Sequence, residues 1–82
     1  MVRVYSTKTC PWCTKVKDYL RSLGVEYGDV DVAADRAAAM EMVKRTQQMG
    51  VPVTEVGETF IVGYDPEAIR SALEREGLLP SA

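Results

Sequence analysis

The sequence predicts an α/β domain whose elements run βαβαββα, and three observations carry that prediction. Short stretches rich in β-branched and aromatic residues stand at 2–6, 25–32, 51–56 and 59–62, the composition of strands. Between and after them, apolar residues recur at helical spacing from Pro11 to Leu23, from Asp35 to about Gln48 and from Pro66 to Leu73. Glycines and prolines punctuate the junctions, where turns and helix ends want them.

The first strand is Val2-Arg3-Val4-Tyr5-Ser6, and Thr7-Lys8-Thr9 leads from it into Cys10. Pro11 suits the first helical position, because the N–H it lacks would be unpaired there anyway. Val16, Tyr19, Leu20 and Leu23 then form an apolar stripe that Cys13 joins, while Lys15, Lys17, Asp18, Arg21 and Ser22 are assigned to the opposite, solvated face. Gly24 is the natural stop. This places Cys10 at the exposed helix start and turns Cys13 inward, so the two thiols are not equivalent. Val25 to Val32 reads as the second strand, with Gly28 a weak point or bulge. A strand–helix–strand unit this short implies a parallel pair with a right-handed connection.

Asp35 is positioned to cap the second helix, with Ala38, Met42 and Val43 inward and Gly50 beyond its end. Glu41 and Arg45 form an i,i+4 pair worth only tenths of a kcal/mol. Val51-Pro52-Val53-Thr54-Glu55-Val56 is strand-like but starts with a proline, and Gly57-Glu58 fits a two-residue hairpin turn with glycine first. Thr59 to Val62 returns antiparallel. Asp65 then caps a third helix with Pro66 in its first turn, Ile69, Ala72 and Leu73 inward, and Gly77 at its end. Tyr5, Tyr19, Phe60 and the methionines are read as core or partly buried filler.

With 82 residues, 46% apolar and 27% charged, the chain is expected to form a single globular domain over 1–82. A formal net charge of −2 with acids and bases interspersed argues against nucleic-acid binding. No apolar run is long enough to span a membrane, and Arg3 interrupts what would be the apolar centre of an export signal. The expected location is therefore the cytoplasm. In that reducing compartment, paired cysteines serve catalysis or metal binding more readily than stapling.

Cys10-Pro11-Trp12-Cys13 holds the only 2 cysteines. Thiols one helical turn apart can close into a disulfide ring and reopen, and in a βαβ setting that spacing reads as a thioredoxin-like redox site. The attacking species is a thiolate, and a free cysteine is mostly protonated at neutral pH. The start of a helix favours negative charge, so Cys10 is the expected nucleophile, with Lys8 adding a positive charge nearby. Cys10 would attack a substrate disulfide, and Cys13 would displace the product and leave the pair oxidised. This chemistry needs no metal, flavin or hydride cofactor, and no dinucleotide fingerprint is present. The absence of histidine excludes Cys–His catalysis. A structural zinc site wants four ligands, so a metal reading requires zinc or an iron–sulfur cluster shared between two chains. Trp12 either covers the helix end or stays exposed to meet a substrate. Base rates make Pro52 an ordinary trans proline, Asp65 a helix cap and Lys8 a solvated lysine.

The order of elements, the Cys10-Pro11-Trp12-Cys13 motif after the first strand and Val51-Pro52 before the third together resemble glutaredoxins, from about Val2 to Leu73. Within that family the chain looks like a small bacterial-type glutaredoxin-like protein that shares traits with the redoxins feeding electrons to ribonucleotide reductase. The resemblance implies a thioredoxin-like (minimal glutaredoxin) fold, a four-stranded mixed sheet flanked by three helices. It implies a dithiol–disulfide oxidoreductase acting as a monomer on protein disulfides or glutathione mixed disulfides, with no tightly bound cofactor and glutathione as co-substrate. Lys8 matches a basic residue that holds a glutathione carboxylate. Val51 matches the residue whose backbone pairs with the cysteinyl part of glutathione. Pro52 matches a cis proline, which would turn that backbone toward the cysteines as a one-residue β-augmentation. Asp65 matches the residue that holds the glutamyl end, at a helix start that is itself an anion site. Trp12 and Tyr64 are the expected aromatic contacts. Three positions depart from the family pattern. Met49-Gly50 stands where a threonine belongs, Val62 replaces the first glycine of a glycine-glycine-x-aspartate turn, and Pro66 replaces an acid. Gly63-Tyr64-x-Pro66 instead resembles the ribonucleotide-reductase redoxins, so thioredoxin reductase stands beside glutathione as the expected electron donor.

Overall fold

Val4 and Tyr5 are neighbours in sequence, point to opposite faces of a strand and are both buried. A strand buried on both faces lies inside a sheet covered from both sides. A computed structural model, which describes residues 2–79, has this arrangement. The elements are β1 (Val2–Ser6), α1 (Pro11–Ser22), β2 (Gly28–Asp31), α2 (Arg36–Thr46), β3 (Val53–Val56), β4 (Thr59–Val62) and α3 (Pro66–Arg75). The sheet order is β2-β1-β3-β4, with β2 parallel to β1 and both β1/β3 and β3/β4 antiparallel. This four-stranded mixed sheet with three helices is the minimal thioredoxin-like fold expected.

One face of the sheet presents Val2, Val4, Val56 and Ile61 to Val16 and Leu20 of α1 and to Ile69, Ala72 and Leu73 of α3. The other presents Tyr5 and Val53 to Met42 of α2. The alternation follows from register: Val4 stands opposite Thr54, and Thr54 opposite Ile61. Asp35 and Asp65 cap α2 and α3, their carboxylates accepting from the Ala38 and Ala68 N–H groups at 3.0 and 3.1 Å. Each such cap contributes about 1 kcal/mol. The β3–β4 turn has Gly57 at φ 59° while Glu58 keeps a negative φ, the conformation of a turn with glycine first.

Several boundaries differ from expectation. The second strand begins at Gly28 rather than Val25, because the Val25 N–H still bonds the Leu20 carbonyl at 3.0 Å and belongs to the end of α1. Gly28 is paired opposite Arg3 and makes no bulge. The third strand begins at Val53, after Val51 and Pro52. α2 stops at Thr46, and Gln47 takes the left-handed conformation, φ 62°, that glycine usually supplies. Met40 and Met49 are not filler: they are 67% and 81% exposed, and only Met42 of the described methionines is buried. Met40 falls off the Ala38–Met42–Val43 stripe, and Met49 lies in the loop beyond α2. Met1 lies outside the described residues.

Thr54 Oγ1 is buried in the α1/α3 core with no hydrogen-bond partner among the described residues. Leaving a hydroxyl unsatisfied there costs about 1–3 kcal/mol. Thr54→Val keeps the shape and removes the hydroxyl, so the urea midpoint should rise, by about 1–2 kcal/mol in stability, with the slope unchanged. A lower midpoint would mean that the hydroxyl contributes a bond.

Candidate active site

The turn out of β1 delivers Cys10 to the N-cap of α1 in an extended conformation, φ −108° and ψ 105°. Its sulfur takes the part usually played by a serine or aspartate oxygen: Cys10 Sγ accepts a hydrogen bond from the Cys13 N–H at 3.2 Å. The Cys10 carbonyl accepts from the Thr14 N–H at 3.3 Å, starting the helical ladder. Pro11 sits in the first turn, where it leaves no donor unmatched. Both cysteines are free thiols; Cys10 is half-buried, while Cys13 is 1% exposed. Burial pushes the Cys13 thiol up to about 11, helped by its hydrogen bond with Cys10, whereas the Thr7 backbone and the Lys17 charge act in the opposite direction.

Opposite Cys10 stands the segment before β3. The Val51–Pro52 peptide bond is cis, and the Cys10 Sγ lies 3.9 Å from the Val51 carbonyl oxygen. The Gly63 N–H donates to the Pro52 carbonyl at 2.8 Å, fixing this segment to the end of β4. Val51 precedes the paired part of β3, and its N–H has no backbone partner among the described residues. Trp12, Val51, Pro52, Gly63 and Tyr64 line a groove of about 320 Å³. Trp12 is 54% exposed. Its ring stacks on Tyr64 at 6.1 Å with an interplanar angle of 30°, and Lys15 Nζ lies 4.7 Å from its centroid. The aromatic pair therefore forms an exposed wall, held by stacking and by a cation over one ring.

The fold thus brings Trp12, Val51, Pro52 and Tyr64 together beside Cys10. It does not bring Lys8 or Asp65 into the lining of that groove. Lys8 is exposed on another flank, in a polar cleft of about 210 Å³ lined also by Ser6, Thr7, Lys17, Asp29 and Asp31. Asp65 is exposed just past the Tyr64 wall, with one carboxylate oxygen engaged as the cap of α3. Lys17 also corrects the sequence reading, which assigned it to a solvated face. Its side chain is 19% exposed, and its ammonium is 2.8 Å from Asp29 Oδ2 on β2, the strand paired in parallel to β1. That ammonium holds the Asp29 carboxyl below its ordinary value, with burial opposing it and the Ser6 hydroxyl adding a smaller lowering effect. The available signal was the i,i+4 step from Cys13 to Lys17, which puts both on one helical face.

Among the described residues, no group of three or more histidine, cysteine, aspartate and glutamate side chains is arranged to hold a metal ion. A metal bound by the two cysteines would need ligands from a second chain. No described helix is long and apolar enough to cross a membrane.

A small α/β domain with paired thiols at a helix start, facing an apolar groove, defines a thiol–disulfide redoxin on a thioredoxin-like fold. The glutaredoxin family model matches residues 2–61, and the chain belongs to the glutaredoxin family, whose members are thiol–disulfide oxidoreductases. It is 41% identical over 75 residues to an uncharacterized glutaredoxin-like 8.6 kDa protein in the rubredoxin operon of Clostridium pasteurianum, covering 92% of this chain and 100% of that one. It is 33% identical over 64 residues to glutaredoxin 3 of Escherichia coli K12, covering 78% of this chain and 77% of that one. The solved NrdH-redoxin of Escherichia coli superposes with a TM-score of 0.81 at 20% identity, covering 99% of this chain and 97% of that one. That likeness is one of fold.

The Cys13 proton is a probe of this geometry. The folded protein holds it more tightly than the unfolded chain, so its contribution to stability is complete below pH of about 9 and is lost as pH rises toward about 11. In denaturant titrations of the reduced protein, wild type should therefore lose stability relative to Cys13→Ala across that interval. Parallel curves would mean that the thiol is not held in its protonated form.

Proposed function

We propose that this protein reduces protein disulfides and glutathione mixed disulfides in the reducing cytoplasm, with Cys10 as nucleophile and Cys13 as resolving thiol. One observation carries the reading. The half-buried Cys10 sulfur sits at a helix N-cap, accepts the Cys13 N–H at 3.2 Å and lies 3.9 Å from the Val51 carbonyl at the edge of the groove. The N–H aimed at the sulfur and the open start of α1 hold Cys10 at the groove edge, in place to attack. A disulfide laid in the groove along Val51 can pair with the Val51 N–H, which holds its near sulfur in reach of Cys10. Cys10 then forms a mixed disulfide and expels the first thiolate. Cys13, one turn along the same helix, attacks the Cys10 sulfur and releases the second. The stacked Trp12 and Tyr64 cover one side of the approaching chain.

Glutathione is the proposed co-substrate and reductant. Its cysteinyl middle can pair with the Val51 backbone at the groove, while Lys8 and the Asp65 end of α3 are the assigned partners of its charged ends. A second reading has a specific basis: neither Lys8 nor Asp65 lines the groove, and Tyr64, in the Gly63-Tyr64-x-Pro66 sequence, stacks on Trp12. On that reading thioredoxin reductase supplies the electrons and ribonucleotide reductase receives them.

Coupled disulfide-reduction assays with glutathione plus glutathione reductase, and with NADPH plus thioredoxin reductase, decide between them. Turnover with glutathione is expected, falling to the uncatalysed rate in Cys10→Ser. Lys8→Ala and Asp65→Asn should each raise the KM for glutathione about fivefold, the size of one partly exposed charged contact of about 1 kcal/mol. Turnover with thioredoxin reductase alone, unaffected by those two substitutions, would assign the second reading. Silence in both assays would overturn both.

A further inference from the structure

Resolution of the mixed disulfide requires Cys13 to give up its proton, although Cys13 is 1% exposed and does not line the groove. A second, polar cleft lies on the other flank of the site, next to the residue one helical turn beyond Cys13. Ser6, Thr7, Lys8, Lys17, Asp29 and Asp31 line it, and of these the Thr7 backbone and the Lys17 charge oppose the burial that raises the Cys13 thiol. Lys17 follows Cys13 by one helical turn on the same face of α1. The lysine is not a loose surface chain: its ammonium is 2.8 Å from Asp29 Oδ2, while the Ser6 hydroxyl donates to Asp29 Oδ1 at 2.9 Å.

We infer that Lys17, pinned by Asp29 one helical turn from Cys13 on the same face of α1, is a positioning residue for the resolving step, its fixed positive charge favouring the Cys13 thiolate as the proton leaves to water. The inference rests on the proposed resolving role of Cys13. The charged groups around Cys13 leave Lys17 as the one suited to this part. Asp29 on β2 is occupied by Lys17, Asp31 on β2 accepts from the Ala33 N–H at 2.9 Å, and Lys8 is exposed at the rim. The groove lining drawn from the β3 and β4 ends, Val51, Pro52, Gly63 and Tyr64, brings no charge. The step balances. Cys13 loses a proton to water, its thiolate attacks Cys10 Sγ, the Cys10–Cys13 bond forms and the bond from Cys10 to the substrate sulfur breaks. The substrate sulfur leaves with the electron pair and takes up a proton, so the substrate disulfide is reduced as the dithiol is oxidised. Nothing comparable is asked of Lys17 in the first attack, where the sulfur at work is Cys10.

Stopped-flow reaction of the reduced full chain with dithiobis-nitrobenzoate separates the steps, because attack by Cys10 and then by Cys13 each releases one coloured thiol. Lys17→Met and Lys17→Gln should leave the first phase unchanged and slow the second about tenfold near neutral pH, the rate following the thiolate fraction. The pH midpoint of the second phase should move upward, and Lys17→Arg should restore most of the rate. Thermal melts establish that each variant is folded. The use of one apolar and one polar replacement separates charge from packing. An unchanged second phase, equal slowing of both phases, or no rescue by arginine would overturn the inference. Failure of the wild type to release a second thiol would instead overturn the resolving role of Cys13.

Discussion

The hydrogen bond from the Cys13 N–H to the Cys10 sulfur is the interaction on which the arrangement of the site depends. It makes a cysteine serve as the cap of α1, so the Cys10 sulfur is also part of the helix that carries it. A helix start leaves N–H groups without partners inside the helix, and here one is met by sulfur rather than by an oxygen. Proline in the first turn removes a further donor that would otherwise need satisfying. The cap fixes the two sulfurs at one-turn spacing and assigns them different surroundings, one at the rim of a groove and one buried beneath it.

That cap is held because α1 is anchored elsewhere. Val16 and Leu20 pack fully buried against β1 and α3, so the first turn of the helix cannot drift from the sheet end that presents Val51 and Pro52. The same central strand holds the rear of the site. Ser6, the last residue of β1, is buried and bonds Asp29 across the parallel β1–β2 pair. Asp29 in turn fixes Lys17. The site therefore has two unlike sides. The groove side is apolar and aromatic and suits a polypeptide or thiol laid along it. The rear is polar and charged. Apolar burial by itself favours the protonated form of a thiol, and Cys13 is the buried one of the pair.

The exposed wall made by Trp12 and Tyr64 shows how a local motif gains its meaning from a distant segment. Trp12 is carried by α1 and Tyr64 by the turn between β4 and α3, and the sheet order β2-β1-β3-β4 brings them within 6.1 Å. Aromatic rings left half in water supply contact area at small conformational cost, so the pair suits partners of varied sequence. The charged residues Lys8 and Asp65 stand outside the groove lining, Lys8 in the polar cleft and Asp65 at the cap of α3.

The amino-acid sequence by itself determined the element order, the caps Asp35 and Asp65, the inward stripe of α1 and the unequal placement of the two thiols. These are local matters, fixed by backbone propensity, capping chemistry and helical spacing within a few residues. It also carried the family, because the cysteine motif and Val51-Pro52 could be read in relation to the strands around them. Strand limits were less legible: Val25 is β-branched, yet its N–H is claimed by the end of α1, and hydrogen-bond partners at a junction are settled by competition between elements. The exposure of Met40 and Met49 escaped the pattern because apolar character alone does not say which side of α2 the sheet covers. Only the tertiary structure decided that Trp12 stacks on Tyr64, that the buried Thr54 hydroxyl finds no partner among the described residues and that Lys17 turns from solvent to Asp29. Each depends on which strand lies beside which helix, and that is fixed by packing between residues far apart in the chain.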